Sequence, residues 1–221
     1  MTPPSRTRSK TRPPLSADRV FAAAMAVADT DGIDAVAMRR LAGELGVEPM
    51  SLYHHVANKD AILDGMVDAV FAELDVPTGV DWREAMRRRA RSVRDALARH
   101  PWAVTLLESR RNAGPATLGH HDAVLGVLRG AGFSVEMAGH AFAVLDAFIY
   151  GFAVEEATLP FDDTTSAADV ADDILDKSTA PHHPHLAEFA TERVLAPGYD
   201  YGNEFDWGLD LILDGLEHRL A

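Results

Sequence analysis

Hydrophobic residues recur every three or four positions through most of this 221-residue chain, which is the spacing of one face of an α-helix. The first such segment begins after Ser16, a residue type that caps helix N-termini, and ends before Gly32. The same spacing predicts further helices near residues 37–45, 49–55, 59–74, 81–99, 101–109, 115–130, 134–159, 185–195 and 203–220. No segment shows sustained two-residue alternation, so we predict an all-α fold.

Two of the predicted helices, at residues 37–45 and 49–55, are short and lie close together in the sequence. Gly46 ends the first, and Pro49 fits the first turn of the second, where its missing N–H is not needed. Two short helices joined by a tight glycine-containing turn have the spacing of a helix-turn-helix. The apolar residues that would pack this unit together are Leu41, Leu45, Val47, Leu52 and Val56.

Charge is divided unevenly along the chain. Residues 1–60 hold eight basic and seven acidic side chains, a net of +1, whereas residues 61–221 carry a net of −14. The overall net charge of −13 by itself disfavours binding to nucleic acid. A near-neutral helix-turn-helix could still touch DNA while the acidic remainder stays away from it.

Residues 1–14 form an arm with four basic residues, four prolines and no acidic residue. We expect this arm to be disordered. It is either a solvated tail or a basic arm that contacts phosphates or a minor groove, and the sequence leaves both open.

The composition excludes several classes of function. The absence of cysteine excludes a disulfide scaffold, a thiol nucleophile and a cysteine-ligated metal cluster, and it suits a reducing cytoplasm. The motifs H-E-x-x-H, G-x-S-x-G and the P-loop are missing, so we predict no cofactor and no catalytic site. No apolar run reaches the roughly 18 residues of a membrane span, so we expect a cytoplasmic protein without a membrane partner.

Within residues 15–74 the chain resembles the TetR family of repressors, and most of all its tetracycline-repressor branch. The resemblance rests on DGIDAV at 31–36, MRRLAGELGV at 38–47 and LYHHVANKD at 52–60. The last helix, with GLDLILDGLE at 208–217, resembles the end of that branch. Between residues 75 and 200 the likeness lies mainly in the order of the helices.

This resemblance implies two domains behind the arm at residues 1–14. A helix-turn-helix DNA-binding domain would span residues 15–60, and a helical bundle for ligand binding and dimerisation would span residues 61–221. The helix at residues 59–74 would connect the two.

The resemblance also implies which residues contact DNA. Tyr53 and Lys59 would contact phosphates, with His55 assisting on the backbone. In the family, bases are contacted from the positions of Pro49, Met50, Ser51 and His54. The full predicted set is Arg39, Pro49, Met50, Ser51, Tyr53, His54, His55 and Lys59.

Three features of this region differ from the family pattern or leave a choice open. Ala37 stands where the family often has a hydroxyl residue, so a helix cap and a phosphate contact are lost. Pro49 and Met50 offer no side-chain hydrogen bonds, so the operator sequence does not transfer from the family. Arg39 and its neighbour Arg40 belong either to a solvated face or to a phosphate contact.

Apolar stripes on the helices at 134–159 and 203–220 are candidates for a dimer interface, as the resemblance implies. The alternative is that both stripes are core of a single chain. The residues predicted at the interface are Val144, Ile149, Phe205, Leu209, Ile212, Leu213 and Leu216.

The resemblance further implies an inducer cavity in the bundle, although such residues are also ordinary core residues. Its predicted lining is Met86, Trp102, Leu106, Met137, Leu145, Phe148 and Phe152, with His140, Arg110 and Glu155 as polar anchors. The histidine that helps anchor the drug's magnesium ion in tetracycline repressors would fall near Leu106. This apolar position argues against a tetracycline–magnesium ligand.

Ten histidines raise the possibility of a metal site. The densest group, His182, His183 and His185, follows an acidic segment that we predict to be a mobile loop over residues 162–184. The group lacks regular ligand spacing and paired carboxylates, so we favour a loop over a metal site.

The leading hypothesis is a ligand-responsive repressor that binds a palindromic operator as a homodimer and is released by a small-molecule inducer. A transcriptional activator, a helical protein-interaction module and an enzyme built on a helical bundle are the alternatives.

Overall fold

The computed structural model describes residues 14–107, 112–159, 170–171, 175 and 182–220, and these residues form helices and no strands. The all-α prediction is confirmed. The helices are α1 Ala17–Asp31, α2 Met38–Leu45, α3 Pro49–Leu52, α4 Lys59–Ala72, α5 Trp82–Arg99, α6 Val104–Leu107, α7 Pro115–Gly130, α8 Val135–Thr158, α9 Pro184–Phe189 and α10 Asn203–Glu217. The predicted arm, and most of the predicted loop at 162–184, lie outside the described residues.

Two predicted helices differ from the prediction within the described residues. Helix α3 ends at Leu52, whose carbonyl oxygen accepts hydrogen bonds from the backbone N–H groups of His55 at 2.9 Å and Val56 at 3.0 Å. The helix predicted near 101–109 begins as a 3₁₀ turn over Pro101–Ala103, and α6 follows it. Tighter turns of this kind are common at helix ends.

Helices α1 to α4 enclose one apolar core. Val20 and Ala24 of α1, Leu41 of α2 and Leu52 of α3 have no exposed surface. Helix α4 approaches α1 closely because Gly65 has no side chain, and a Cβ there would lie 2.4 Å from the Phe21 ring. The short helices are therefore held in place by α1 and α4.

Helix α8 is the central helix of the C-terminal bundle. It packs against α5, α7 and α10, and Ala141, Leu145 and Ile149 are almost completely buried in those contacts. By length and composition alone α8 could also cross a membrane, with a mean hydropathy of 1.5. In the structure, however, Asp146 near its middle is buried and paired with Arg89 of α5.

Helix α10 presents three distinct faces. Its buried face consists of Phe205, Leu209, Leu213 and Leu216. A second face carries acidic residues that pair with arginines of α5, as in Arg87–Asp210 at 2.8 Å and Arg91–Asp206 at 3.0 Å. The third face is apolar and exposed at Trp207 and Leu211.

Candidate DNA-binding surface and ligand-binding core

The turn between α2 and α3 fixes the direction of the second helix. Gly46 adopts the left-handed conformation, with φ 66° and ψ 42°. The backbone N–H of Val47 then donates to the carbonyl oxygen of Ala42 at 3.0 Å, which closes the end of α2. A side chain at Gly46 would strain this turn, so the helix-turn-helix geometry depends on glycine.

The predicted base-contacting and phosphate-contacting residues lie at the surface around α3. Met50 is 71% exposed and Tyr53 is 47% exposed, which is unusual for large side chains of their kind. His54, His55 and Lys59 are exposed, while Pro49 and Ser51 are half-buried. Between them, Leu52 and Val56 point into the core and anchor this surface.

The two neighbouring arginines of α2 have different surroundings. Arg40 pairs with Asp31 at 3.0 Å and with Glu44 at 2.9 Å. Arg39 is exposed and forms no ion pair with any residue in the described part of the chain. Of the two, Arg39 therefore has the guanidinium that is available for a phosphate.

The starts of the helices differ in how they are capped. Asn58 accepts a hydrogen bond from the backbone N–H of Ala61 at 2.8 Å and caps α4, beside the exposed Lys59. Ala37 gives no side-chain cap to α2, as its sequence predicts. The first N–H groups of α2 are thus without a side-chain acceptor from the N-cap residue.

A buried polar cluster joins α5, α7 and α8. Arg89, which is 1% exposed, donates from Nη2 to Asp146 Oδ1 at 2.5 Å and from Nε to His120 Nε2 at 3.1 Å. Burial lowers the pKa of His120 to about 3, and the charge of Arg89 and the neighbouring His121 act in the same direction. His120 is therefore neutral at physiological pH.

Several polar atoms of this cluster are buried without a hydrogen-bond partner among the described residues. They are Arg89 Nη1, His120 Nδ1, His121 Nε2 and Asp146 Oδ2. Such atoms cost about 1–3 kcal/mol each when nothing satisfies them.

Aromatic rings surround the same cluster. Phe71 of α4 meets the rings of His120 and His121 edge-on, with ring centroids 5.3 Å apart in both cases. Phe142 of α8 meets His121 at 5.2 Å, and the guanidinium of Arg89 lies 5.6 Å from the Phe142 ring centroid. The polar groups thus lie among flat apolar walls.

None of the polar residues of this cluster was predicted from the sequence to be at a functional site. The signal was present in Asp146, the one acidic residue in the apolar middle of α8, and in Arg89 on the buried face of α5. A charge at such a position is buried only with a partner, but the partner lies 57 residues away in the sequence.

The predicted pocket residues are divided between the buried core of the bundle and its surface. Met86, Trp102, Leu145 and Phe152 are buried apolar core residues. Leu106 and Phe148 are partly buried beside the same core, and Arg110 lies outside the described residues.

The three other predicted pocket residues lie in a different environment. Met137 and His140 line an open, mostly apolar groove between α8 and α10, and Met137 is partly buried against the core there. Glu155 accepts a hydrogen bond from the Tyr201 hydroxyl at 2.9 Å. Burial, and next this hydrogen bond, raise the pKa of Tyr201 to about 12.

The predicted interface residues divide into two groups. Val144 and Ile212 line the open groove of α8 and α10. Leu216 also lines this groove, although it is only 7% exposed. Ile149, Phe205, Leu209 and Leu213 have no exposed surface in the single chain, and their place at an interface stays a prediction. Leu211 and Trp207 of α10, which the prediction did not include, are 60% and 68% exposed.

Contacts in the C-terminal half of α4 link the helix-turn-helix to the bundle. Asp68 accepts hydrogen bonds from the backbone N–H and the hydroxyl of Thr117, at 2.8 and 2.9 Å, and so caps α7 from another helix. Beyond the end of α4, Glu73 Oε2 accepts a hydrogen bond from Arg99 at 2.6 Å. A shift of α7 or of the end of α5 would therefore also displace α4.

A second link joins α1 to the segment between α5 and α6. Asp29 Oδ1 accepts a hydrogen bond from Trp102 Nε1 at 2.6 Å and lies 2.7 Å from His100 Nδ1. The other ring nitrogen of His100 lies 3.3 Å from Glu73 Oε1. His100 thus sits between carboxylates of α1 and of the residue that follows α4.

An exposed helix-turn-helix joined to a helical bundle with a polar, aromatic-walled core defines the class of helix-turn-helix regulators with a ligand domain. The family model described as bacterial regulatory proteins, tetR family, matches residues 20–66, and that described as tetracyclin repressor-like, C-terminal domain, matches residues 76–220. The chain belongs to the TetR family of transcriptional regulators.

Relatives and solved structures agree with this assignment. The chain is 32% identical to the HTH-type transcriptional repressor DrrR1 of Streptomyces coeruleorubidus, over 95% of this chain and 80% of that protein. It is also 32% identical to the tetracycline repressor protein class A of Escherichia coli, over 93% of this chain and 92% of that protein. The structure of ActR from Streptomyces coelicolor with actinorhodin matches with a TM-score of 0.77 at 30% identity, covering 95% of this chain and 100% of that one.

Proposed function

We propose that this protein is a ligand-responsive transcriptional repressor that binds a palindromic operator as a homodimer and is released by a small-molecule inducer. The observation that carries the proposal is the exposure of Met50 and Tyr53 at the second helix of a helix-turn-helix whose turn is set by Gly46. Relatives named as repressors, and ActR solved with actinorhodin, support both the DNA-binding and the ligand-binding half. A regulator of this kind acts in the cytoplasm, where the chromosome lies.

DNA recognition is proposed to begin at α3. Met50 would contact thymine methyl groups, and Ser51 and His54 would supply hydrogen bonds to base edges. Tyr53 and Lys59 would contact phosphates beside the capped start of α4.

The domain boundary is proposed at residues 60/61, with α4 as the connection. Because α4 is held by Asp68 and Glu73, a ligand that moves α7 or the end of α5 would also move α4. The distance between the two helix-turn-helix units of the dimer would then no longer match the distance between operator half-sites, which is about 34–36 Å or a multiple of it. This is a shift between two states, and the ligand favours the one that binds DNA weakly.

Dimerisation is proposed to use the open groove of α8 and α10. Val144 and Leu211 are 43% and 60% exposed, and Gly215 lets a partner helix approach closely. Covering these side chains with a second copy would remove apolar surface from water. We assign α8 to this interface and to the bundle core, and not to a membrane.

The decisive experiment is a gel-shift titration of the purified protein against the DNA upstream of its own gene. We expect a discrete complex on a palindromic segment, with weaker binding to scrambled DNA of equal length. A reporter under that segment should be expressed more strongly when the protein is deleted. Equal binding to both DNAs would refute the proposal, and lower reporter expression on deletion would show an activator.

A further inference from the structure

All sulfur atoms of this protein are thioethers. The chain has seven methionines and no cysteine, so an oxidant that reacts with sulfur meets no thiol. Six of the methionines lie in the described part of the chain, and among them Met50 stands apart because it is 71% exposed. The other five lie in the apolar core or pack against it, and they are Met25, Met38, Met66, Met86 and Met137. Because methionine oxidation follows access to the oxidant, Met50 is the first target among these six.

Met50 lies in α3, on the surface proposed to contact DNA. Leu52 and Val56 of the same segment are 0% and 5% exposed and hold this segment on the core, whereas the Met50 side chain projects into solvent. A thioether has no hydrogen-bond donor and is only a weak acceptor, so the contact proposed between Met50 and a thymine methyl group is apolar. That contact therefore depends on a thioether that is not oxidised.

A peroxide changes this side chain in a single oxygen transfer. A lone pair of the thioether sulfur attacks one peroxide oxygen, so that an S–O bond forms as the O–O bond breaks. The departing hydroxide takes up the proton of the transferred hydroxyl and leaves as water. The sulfur is oxidised by two electrons and the peroxide is reduced by two. The product, methionine sulfoxide, carries a polar oxygen that must give up its bound water to lie against a methyl group.

We propose that Met50 is a site of reversible oxidation, at which hydrogen peroxide or an organic hydroperoxide converts the thioether to a sulfoxide and thereby releases the protein from its operator. This inference rests on the proposed function and adds a second signal to it, because the oxidant acts at the DNA-contacting surface and not in the helical bundle. Methionine sulfoxide reductases reverse the change, so DNA binding returns once the oxidant is removed.

The test treats the purified full-length protein with hydrogen peroxide, quantifies sulfoxide at each methionine by peptide mass spectrometry and measures gel shifts with the upstream DNA. We expect Met50 to be oxidised before the other five methionines. Affinity for the palindromic segment should then fall about tenfold, which corresponds to about 1.4 kcal/mol. Binding to scrambled DNA should not change, since phosphate contacts from Tyr53 and Lys59 involve no sulfur. Complete oxidation of Met50 without loss of operator affinity would overturn the proposal.

A substitution without sulfur locates the effect. Met50→Leu keeps an apolar side chain of similar size but cannot form a sulfoxide. Each variant is compared with itself before and after peroxide, so its starting affinity does not enter the comparison. We expect peroxide to leave the operator affinity of Met50→Leu unchanged, whereas the matched control Met25→Leu, at a partly buried methionine of α1, should lose affinity as wild type does. An equal loss in Met50→Leu and wild type would place the damage elsewhere and refute the proposal.

Two further measurements separate the loss of a contact from damage to the fold. Because Met50 is exposed, the oxidised and untreated proteins should have the same denaturant unfolding curve. Methionine sulfoxide reductases A and B together should restore operator affinity, since each reduces one sulfoxide epimer. Lower stability with an affinity that the reductases do not restore counts against the proposal.

The two proposals fail in distinguishable ways. If the untreated protein shifts the upstream DNA and oxidation of Met50 leaves this shift unchanged, the oxidation site is wrong while the repressor function stands. If the untreated protein gives no shift on the palindromic segment, the repressor function itself is refuted.

Discussion

Identical residue types in this protein have different roles because of their surroundings. Arg39 and Arg40 are adjacent, yet Arg40 is held by Asp31 and Glu44 while Arg39 is exposed without an ion pair in the described part of the chain. The same holds for histidine. His120 is buried and neutral, whereas the side chain of His140 is 68% exposed.

The phosphate contact proposed for Lys59 predicts a change in the salt dependence of operator binding. Lys59→Gln should weaken binding to all DNA sequences alike and lower the slope of log affinity against log salt by about 0.9, the value for one neutralised phosphate. Gel shifts at several salt concentrations measure this slope. Arg40→Gln is the control, because its guanidinium is occupied by two carboxylates, and its slope should equal that of wild type. A Lys59→Gln slope equal to wild type would exclude the contact.

The lowered pKa of His120 predicts how stability depends on pH. With a pKa of about 3 in the folded protein and 6.5 as the ordinary value, the unfolded chain binds more protons between these limits. Stability from this residue is therefore complete above pH 6.5 and is lost as the pH falls towards 3, by up to about 1.4 kcal/mol per pH unit.

Denaturant unfolding between pH 4 and pH 7 tests this dependence. His120→Gln should show a shallower loss of stability on acidification than wild type, because glutamine does not titrate. The exposed control His140→Gln should follow the wild-type curve. Parallel curves for wild type and His120→Gln would contradict the buried, neutral state of His120.

At the scale of elements, α4 is the helix through which the two parts of the protein are connected. It packs on α1 on one side and on α7 on the other. The Asp68 carboxylate supplies the side-chain cap that Gly114 cannot give to α7, at the helix end where negative charge is favoured. A Cβ at Gly114 would lie 2.2 Å from Asp68 Cγ, so the contact requires glycine there.

Loss of this cap should weaken the junction. Asp68→Ala removes the accepting oxygen and is expected to lower the free energy of unfolding by about 0.5–2 kcal/mol, the usual effect of losing a helix cap. Gly114→Ala should have a similar effect, since it displaces the same carboxylate. The double variant should then lose less than the sum of the two, and denaturant unfolding measures all three. Asp122→Ala, on the exposed surface of α7, is the control. Fully additive losses would show that the two residues act independently.

At the scale of the whole molecule, part of the acidic charge of the C-terminal part pairs with arginines inside the bundle. Acidic residues of α10 at positions 206, 210, 214 and 217 pair with arginines of α5, so part of the negative charge is neutralised within the bundle. Exposed pairs of this kind contribute only about 0–1 kcal/mol each, so their effect is mainly on the placement of α10 against α5.

The open groove of α8 and α10 predicts the oligomeric state. Leu211→Glu should convert a dimer into a monomer, because it places a charge in the centre of an apolar interface. Light scattering coupled to size-exclusion chromatography measures the mass. Leu118→Glu, at a site that is 58% exposed on α7, is the control and should remain dimeric. A Leu211→Glu variant that is still dimeric would exclude this groove as the interface.

The sequence by itself determined the features that depend on neighbouring residues. Helical periodicity, the cap at Ser16 and the turn at Gly46 act within a few residues, so the helices and the helix-turn-helix could be predicted with boundaries close to those observed. Leu52 and Val56 are buried, and this orientation of the segment leaves Met50 and Tyr53 pointing outward.

Only the tertiary structure decided the features that depend on distant residues. Helix α8 is apolar on more than one face, so its sequence could not show that Ile149 is core while Val144 is exposed. The pairing of Arg89 with Asp146 joins residues 57 positions apart. Periodicity identifies an apolar face, but the helix that covers it, and the partner that satisfies a buried charge, are set by the packing of the whole chain.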